Sequence, residues 1–350
     1  MSDGPASTLR FLIFGAGAIG TYVGGSLALH GHPVVFLERP EVAAELEQRG
    51  LCLNLDGREQ TIPKPRLAAS LKEALNKGPY DAAVFALKSF DTQEMLRSLA
   101  PLYRSLPPIL CLQNGVENEA ALAAGLGANK VIAGTMTSAI GRRAAGDIVL
   151  ERRRGMGVAR GHPLAPRLVQ ALDEAGLNAR LYPKAAEMKW SKMLTNLLAN
   201  ATSAIVDLSP AEVFAHPGLY RLEIAQLRET LAVMAAQKLR PVNLPGTPVR
   251  LLAFGVRRLP PALARPLLGR AVGGGRGAKM PSFYLDLHSG CGQSEVDYLN
   301  GAVVRIGKRL GVPTPANQLL NDTLLALVRG EQSVKDYSHQ PEKLLNFYKP

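Results

Sequence analysis

Leu9-Arg-Phe-Leu-Ile-Phe-Gly15-Ala-Gly17-Ala-Ile-Gly20 joins an apolar run to a Gly-x-Gly-x-x-Gly turn, and a helical pattern follows from Ile19 to His30. The spacing assigns each glycine a task. Gly15 permits a tight turn, Gly17 lets a pyrophosphate approach the backbone, and Gly20 lets the helix pack closely on the strand. The helix start presents unpaired N–H groups and the positive end of its dipole to an anion. With Ala16, Ala18 and Ile19 completing the loop, residues 15–20 read as a dinucleotide-binding turn.

The next apolar run, Pro33-Val-Val-Phe-Leu, ends in Glu38-Arg39. An acidic residue at this place accepts from the ribose 2′-OH of NAD, whereas an arginine accommodates the 2′-phosphate of NADP. Both types are present, so residue type leaves the choice of coenzyme open. A Glu38 turned inward repels the extra phosphate; an Arg39 that pairs with it requires Glu38 to turn away.

The first half alternates short apolar runs with helical patterns, as a parallel sheet covered on both faces requires. Strands are expected at 81–87, 109–112, 131–134 and 179–181, with edge pieces at 51–55 and 60–62 and a late hairpin at 148–151 and 157–159. Helices are expected at 92–100, 117–125 and 164–175. From Pro183 onward helical periodicity takes over at 185–206, 218–238, 295–310 and 318–328, with two short helices at 249–256 and 261–272. The architecture is therefore α/β: an N-terminal Rossmann-type dinucleotide-binding domain over residues 1–183, then an all-α domain over 184–350.

The 350 residues are 47% hydrophobic, enough for two cores. No window of about 18 uninterrupted apolar residues predicts a membrane span, and the N-terminus lacks the basic start and apolar stretch of a secretory signal. Cys52, Cys111 and Cys291 are odd in number and far apart, which argues against a disulfide framework or zinc site and fits a reducing cytoplasm. The six histidines are scattered without ligand spacing, so no metal is expected. The net charge of +12 comes largely from arginines at 142–154 and from the run 238–279, where no acid occurs between Glu229 and Asp286. No nucleic-acid-binding module accompanies it, so nucleic acid is not an expected partner. A positive cleft also suits a dinucleotide phosphate and a small carboxylate.

Ligands of open α/β sheets collect at the carboxyl ends of strands. Two such ends carry polar residues here: Lys88-Ser89, and Gln113-Asn114-Gly115. Lys88 can neutralise a carboxylate or phosphate, and Asn114 can hold a carboxamide near the coenzyme; a solvated lysine and a turn-forming Asn-Gly are the bland readings. In the stretch from Trp190, residues Lys192, Asn196 and Asn200 recur every fourth position, a stripe drifting about 40° per step that Ser203 extends. Asparagine is a poor helix former, so its repetition beside an apolar face suggests a polar cleft. Farther on, Ser282 precedes Ser294-Glu295-Val-Asp297, in which Ser294 and Asp297 read as a capping box and Glu295 lies in the first helical turn.

Together these residues resemble the ketopantoate reductase (2-dehydropantoate 2-reductase) family over nearly the whole chain. The resemblance implies an NADPH-dependent oxidoreductase of pantothenate biosynthesis, with a helical second domain similar to that of 6-phosphogluconate dehydrogenase. It implies that Lys192 is the general acid and that Glu295 binds the substrate hydroxyl. Asn196, Asn200 and Ser282 would line the pocket of a small 2-oxo acid. Asn114 and Lys88 would lie between coenzyme and substrate, and Arg39 would meet the 2′-phosphate. Phe283 and Leu285 stand where the family commonly has methionine and glutamine, which leaves another 2-oxo or 3-hydroxy acid open as substrate. A non-catalytic NADP(H) sensor is a further alternative, against which the second-domain polar residues speak. An apolar helical face can serve either a core or a homodimer interface.

Overall fold

The computed structural model describes residues 8–259, 280–290 and 292–348. The chain divides into two compact units, Met1–Lys189 with Leu244–Thr247, and Trp190–Asn243 with Pro248–Pro350.

In the first unit, β1 (Phe11–Phe14) is buried at every position. Phe11 and Ile13 enter one apolar cluster and Leu12 and Phe14 another. Alternation of this kind, with both faces apolar, follows from a strand covered on both sides. Strand β1 lies between β2 (Val34–Leu37) and β6 (Ala82–Phe85), parallel to both. The sheet continues outward from β2 to β5 (Arg66–Ala68). In the other direction it runs from β6 to β7 (Ile109–Cys111) and β8 (Val131–Met136). Strand β11 (Met156–Ala159) pairs antiparallel with β8 and parallel with β12 (Ala179–Tyr182). The order β12-β11-β8-β7-β6-β1-β2-β5 reverses direction at β1, the point where such sheets open a crevice at their carboxyl ends.

A second sheet corrects the expected layout. The pieces at β3 (Leu51–Leu55) and β4 (Arg58–Ile62) are not edges of the main sheet. They join β9 (Ala139–Ala144) and β10 (Asp147–Arg152) in the order β4-β3-β10-β9. The expected hairpin between 148–151 and 157–159 is absent, because β10 pairs with β9 and β3 while β11 enters the main sheet. Helix α1 (Ala18–Leu29) contacts strands of both sheets and is buried continuously from Gly20 to Leu27. Its glycines set the spacing: a Cβ on Gly24 would meet Ile13 and Phe36 at 2.7 Å, and one on Gly25 would meet Leu53 at 2.6 Å.

The second unit contains helices and no strand among its described residues. Helix α7 (Ala185–Leu197), which starts in the first unit, is followed by α8 (Asn200–Val206), α9 (Pro210–Ala215), α10 (Pro217–Ala236) and α11 (Val249–Arg258). Then come α12 (Ser282–His288), α13 (Val296–Leu310) and α14 (Pro315–Val328). The helix expected at 261–272 lies outside the described residues. A single helix over 185–206 is also corrected, because Ala199 takes a left-handed conformation (φ 49°) that ends α7. The break is held from α10: Ala199 N–H donates to Glu223 at 2.8 Å, Thr202 Oγ1 donates to the same buried carboxylate at 2.5 Å, and Gln226 Nε2 donates to Leu197 O. A lone alanine gains nothing from that conformation. The satisfied donors around a buried acid supply the compensation.

Among the described residues no helix is long and apolar enough to cross a membrane.

Candidate active site

The expected coenzyme residues of the first unit stand at strand carboxyl ends or on the turn after β1. Gly15 follows β1 with φ 89°, and its N–H donates to Leu37 O at 3.0 Å. Gly17 caps α1 with extended backbone (φ −71°, ψ −172°), and a Cβ placed there would touch nothing within 4 Å. Gly20 is the opposite case: a Cβ would lie 1.9 Å from the carbonyl oxygen of Gly15. The turn is thus tight underneath and open above, with the N–H groups at the start of α1 on its open side. Such a cradle accepts an anionic pyrophosphate.

The turn amide already holds an anion. Glu38, whose backbone N–H donates to Ala68 O at 3.0 Å, turns inward and accepts from Ala16 N–H through Oε1. Its Oε2 accepts from Arg39 N–H at 3.2 Å. Arg39 points outward; its side chain is 77% exposed and pairs with Glu41 at 3.6 Å. That exposed pair is worth about 0–1 kcal/mol and does not restrain the guanidinium.

Lys88 and Asn114, both half-buried, follow β6 and β7. Around them lies a set of side chains to which the sequence assigned no role of their own, Ser89 and Gln113 at strand ends and Thr92 and Asn118 in expected helices. Gln113 is buried, and its Nε2 donates to Leu87 O (3.1 Å), Lys88 O (3.2 Å) and Thr92 Oγ1 (2.8 Å). Asn118 Nδ2 donates to Asn114 O at 2.5 Å and to Ser89 Oγ at 3.0 Å, and Ser89 Oγ donates to Asn114 O at 3.3 Å. The carboxyl ends of β6 and β7 are therefore laced together. Cys111 beneath them is fully buried, and burial pushes its thiol well above the usual range, which keeps it unreactive.

Lys189 anchors the lacing. Only 5% exposed, its ammonium forms an ion pair with Glu119 at 2.7 Å and donates to Gln113 O (2.6 Å) and Gly134 O (3.2 Å). An opposite charge and two carbonyl acceptors compensate the ammonium, the condition under which a buried charge is tolerated. Lys189→Met strands the Glu119 carboxylate, so urea unfolding should show a loss of about 3–5 kcal/mol. Adding Glu119→Gln should recover part of that loss, and an unchanged unfolding midpoint in the single variant would contradict the anchoring role.

The second unit holds the other polar group. Lys192 is half-buried on α7, and Asn196 lies one turn farther along. Asn200 opens α8 beyond the break, so it is not the continuation of one helical stripe, and Ser203 is buried at 0% exposure. The break nevertheless leaves Asn200 in contact with its expected neighbours. Its Nδ2 donates to Asn196 O at 3.0 Å and to Ser282 Oγ at 3.4 Å, while its Oδ1 accepts from Phe283 N–H at 3.1 Å. Asn200 thereby ties the end of α7 to the start of α12. Glu295 caps α13 and is only 4% exposed. The expected capping box is not formed. Ser294 Oγ accepts from Val296 N–H, and Asp297 pairs with Arg305 at 2.8 Å instead.

The model of the family described as ketopantoate reductase PanE/ApbA matches residues 11–160, and that of its C-terminal domain matches residues 184–329. The chain belongs to the ketopantoate reductase family. A 2-dehydropantoate 2-reductase of Archaeoglobus fulgidus is 28% identical over 330 residues, covering 93% of this chain and 98% of the relative. One from Lactococcus lactis is 26% identical, covering 88% and 94%. Among solved structures, a PanE/ApbA family ketopantoate reductase from Ralstonia eutropha aligns with TM-score 0.77 at 26% identity, over 93% of this chain and all of that one. A D-mandelate dehydrogenase bound to NADH and anilino(oxo)acetate shares the fold, with TM-score 0.74 at 23% identity over 92% and 99%. This ketopantoate reductase family member is thus an oxidoreductase dependent on a nicotinamide coenzyme. Gln113, quoted above in a strand end but given no role, and Asn118, Lys189 and Glu223, which the sequence did not single out, are supporting residues of this family member. Only Gln113 carried a signal, as an amide directly before Asn-Gly at a strand end.

Proposed function

We propose that the chain reduces 2-dehydropantoate to pantoate with NADPH, and that Lys192 is its proton donor. The single observation that carries this is the polar set Lys192, Asn196, Asn200 and Ser282 on the second unit, in which Asn200 contacts both Asn196 and Ser282 across a helix break. A protein that only sensed a dinucleotide would need the glycine turn of the first unit and nothing more. The bound coenzyme supplies the hydride that reduces the ketone carbon. Lys192 places an ammonium against the carbonyl oxygen, stabilises the negative charge that grows there, and gives it a proton. Asn196 and Ser282 hold the polar groups of the substrate, and Asn200 fixes both of them in position. Glu295, buried at the start of α13, accepts from the substrate hydroxyl. Lys88 and Asn114 orient the nicotinamide end of the coenzyme, and Arg39 pairs with its 2′-phosphate once Glu38 leaves the inward position it holds against Ala16 N–H.

The two departures near Ser282 differ in burial. Phe283 is 1% exposed and belongs to the core, whereas Leu285 is 56% exposed. Ser282 contacts Asn200 beside them. The test is oxidation of NADPH, followed as loss of reduced-nicotinamide absorbance, with ketopantoate beside related 2-oxo acids. Ketopantoate should give the highest kcat/KM. Turnover of none of them, with tight coenzyme binding, would overturn the proposal in favour of a sensor.

A further inference from the structure

The second unit carries a cavity that the polar set does not use. It measures about 810 Å³ and is lined by α10, α11 and the short helix α15 (Pro341–Leu345). That size is typical of small-molecule sites. None of Lys192, Asn196, Asn200, Ser282 or Glu295 lines it. Helical spacing explains the separation. On α10, Glu223 and Gln226 are fully buried and turn to the break at Ala199. Arg221, Ile224, Ala225 and Arg228 recur at three- and four-residue intervals on the opposite face, and these line the cavity.

The walls are apolar, formed by Ile224, Ala225, Val256, Leu259 and Leu345. Gly255 widens one of them. It lies inside α11, where glycine costs about 0.5–1 kcal/mol relative to alanine. A Cβ there would meet only Leu259, at 3.7 Å, so packing does not demand the glycine. The polar groups that remain available are donors. Arg221 is exposed, and its guanidinium has no hydrogen-bond or ion-pair partner among the described residues. Arg228 donates through Nε to Val256 O at 3.0 Å, which leaves its terminal amino groups to another acceptor. Burial, with Glu229 adding to it, pushes the Tyr348 hydroxyl up, so it stays protonated. The two carboxylates of the lining are engaged elsewhere. Glu229 accepts from Ala316 N–H (2.7 Å), Asn317 N–H (2.9 Å) and Asn317 Nδ2 (2.7 Å) at the start of α14. Glu342 is exposed and faces His216 at 3.5 Å.

From this lining we infer that the cavity is a second small-molecule site, which takes an organic carboxylate with an apolar body. The carboxylate sits on Arg221 and Arg228, and the body lies along Ile224, Val256 and Leu345. Guanidiniums recognise an oxyanion through charge-assisted hydrogen bonds, and the walls remove the body from water. Glu229 and Glu342 on the same lining disfavour a doubly charged phosphate. The inference goes beyond the reduction proposed above and shares no residue with it.

The test is calorimetric titration of the full chain with octanoate, 1-octanol, octylammonium and octyl phosphate. Octanoate should bind at least about tenfold more tightly than the other three. Variants locate the site. Gly255→Leu fills the cavity and should abolish octanoate binding, with a thermal transition no lower than the native one, because leucine favours a helix more than glycine. Arg221→Glu should weaken octanoate about tenfold or more, and Lys192→Ala should leave it unchanged. Octanoate affinity unmoved by Gly255→Leu or by Arg221→Glu would overturn the inference, as would equal or tighter binding of any of the other three probes. Loss of binding in Lys192→Ala would overturn it by placing octanoate at the polar set. A native dimer that Gly255→Leu dissociates, read by sedimentation, would overturn it by giving this face to a second copy of the chain.

Discussion

Lys192→Ala lowers turnover of the oxo acid by about 10²–10⁴-fold, the usual contribution of a positioned general acid. Coenzyme affinity stays close to that of the native chain, because Lys192 lies on the second unit and the glycine turn on the first. The loss should appear mainly in kcat, since the developing alkoxide needs the ammonium more than the ground-state ketone does. Lys192→Arg should recover little, because a guanidinium does not release its proton at neutral pH. Steady-state kinetics with separate coenzyme-binding measurements check all three expectations. Native-like kcat in Lys192→Ala would remove the residue from the mechanism.

Gly20→Ala acts through a different cause. Its Cβ would stand 1.9 Å from the Gly15 carbonyl oxygen and 3.3 Å from Ile13 Cγ2, and the first of these is backbone that cannot rotate aside. Relief requires the turn or the start of α1 to move. That shift strains the bonds from Gly15 N–H to Leu37 O and from Thr21 Oγ1 to Ala16 O. Overpacking of this kind costs about 1–3 kcal/mol of stability, and affinity for either coenzyme should fall at least about a hundredfold. Gly17→Ala is the control. Its added methyl meets nothing within 4 Å, so thermal unfolding should be native while coenzyme binding weakens, because the methyl occupies the open approach to the turn. Equal melting temperatures for native and Gly20→Ala chains would contradict the steric account.

These two glycines mark how far residue order carries an interpretation. The pattern from Leu9 to Gly20 encodes strand, turn and helix within a dozen neighbouring positions, and the structure reproduces each of them. The continuous apolar runs of β6 and β7 and the helical periodicity of α10 and α13 were readable on the same terms. The second sheet was not. Cys52 pairs with Asp147, so its register joins segments far apart in the chain. A run such as Arg58–Ile62, exposed at four of its five positions, has no apolar pattern to reveal its partner. The ends of α7 and α8 show the same limit. Lys192, Asn196 and Asn200 invited a continuous stripe, and alanine at 199 favours a helix; the buried carboxylate of Glu223 overruled that preference from another helix.

What residue order settled, then, was chemistry with short reach: a phosphate-binding turn, a covered parallel sheet, and a lysine among asparagines on the helical side. Packing settled the rest. It turned Glu38 onto Ala16, seated Lys189 under Gln113, and gave Asn200 to both Asn196 and Ser282. A side chain's direction follows from which donors and acceptors lie within about 3 Å of it, and those neighbours come from remote segments that only the folded chain brings together.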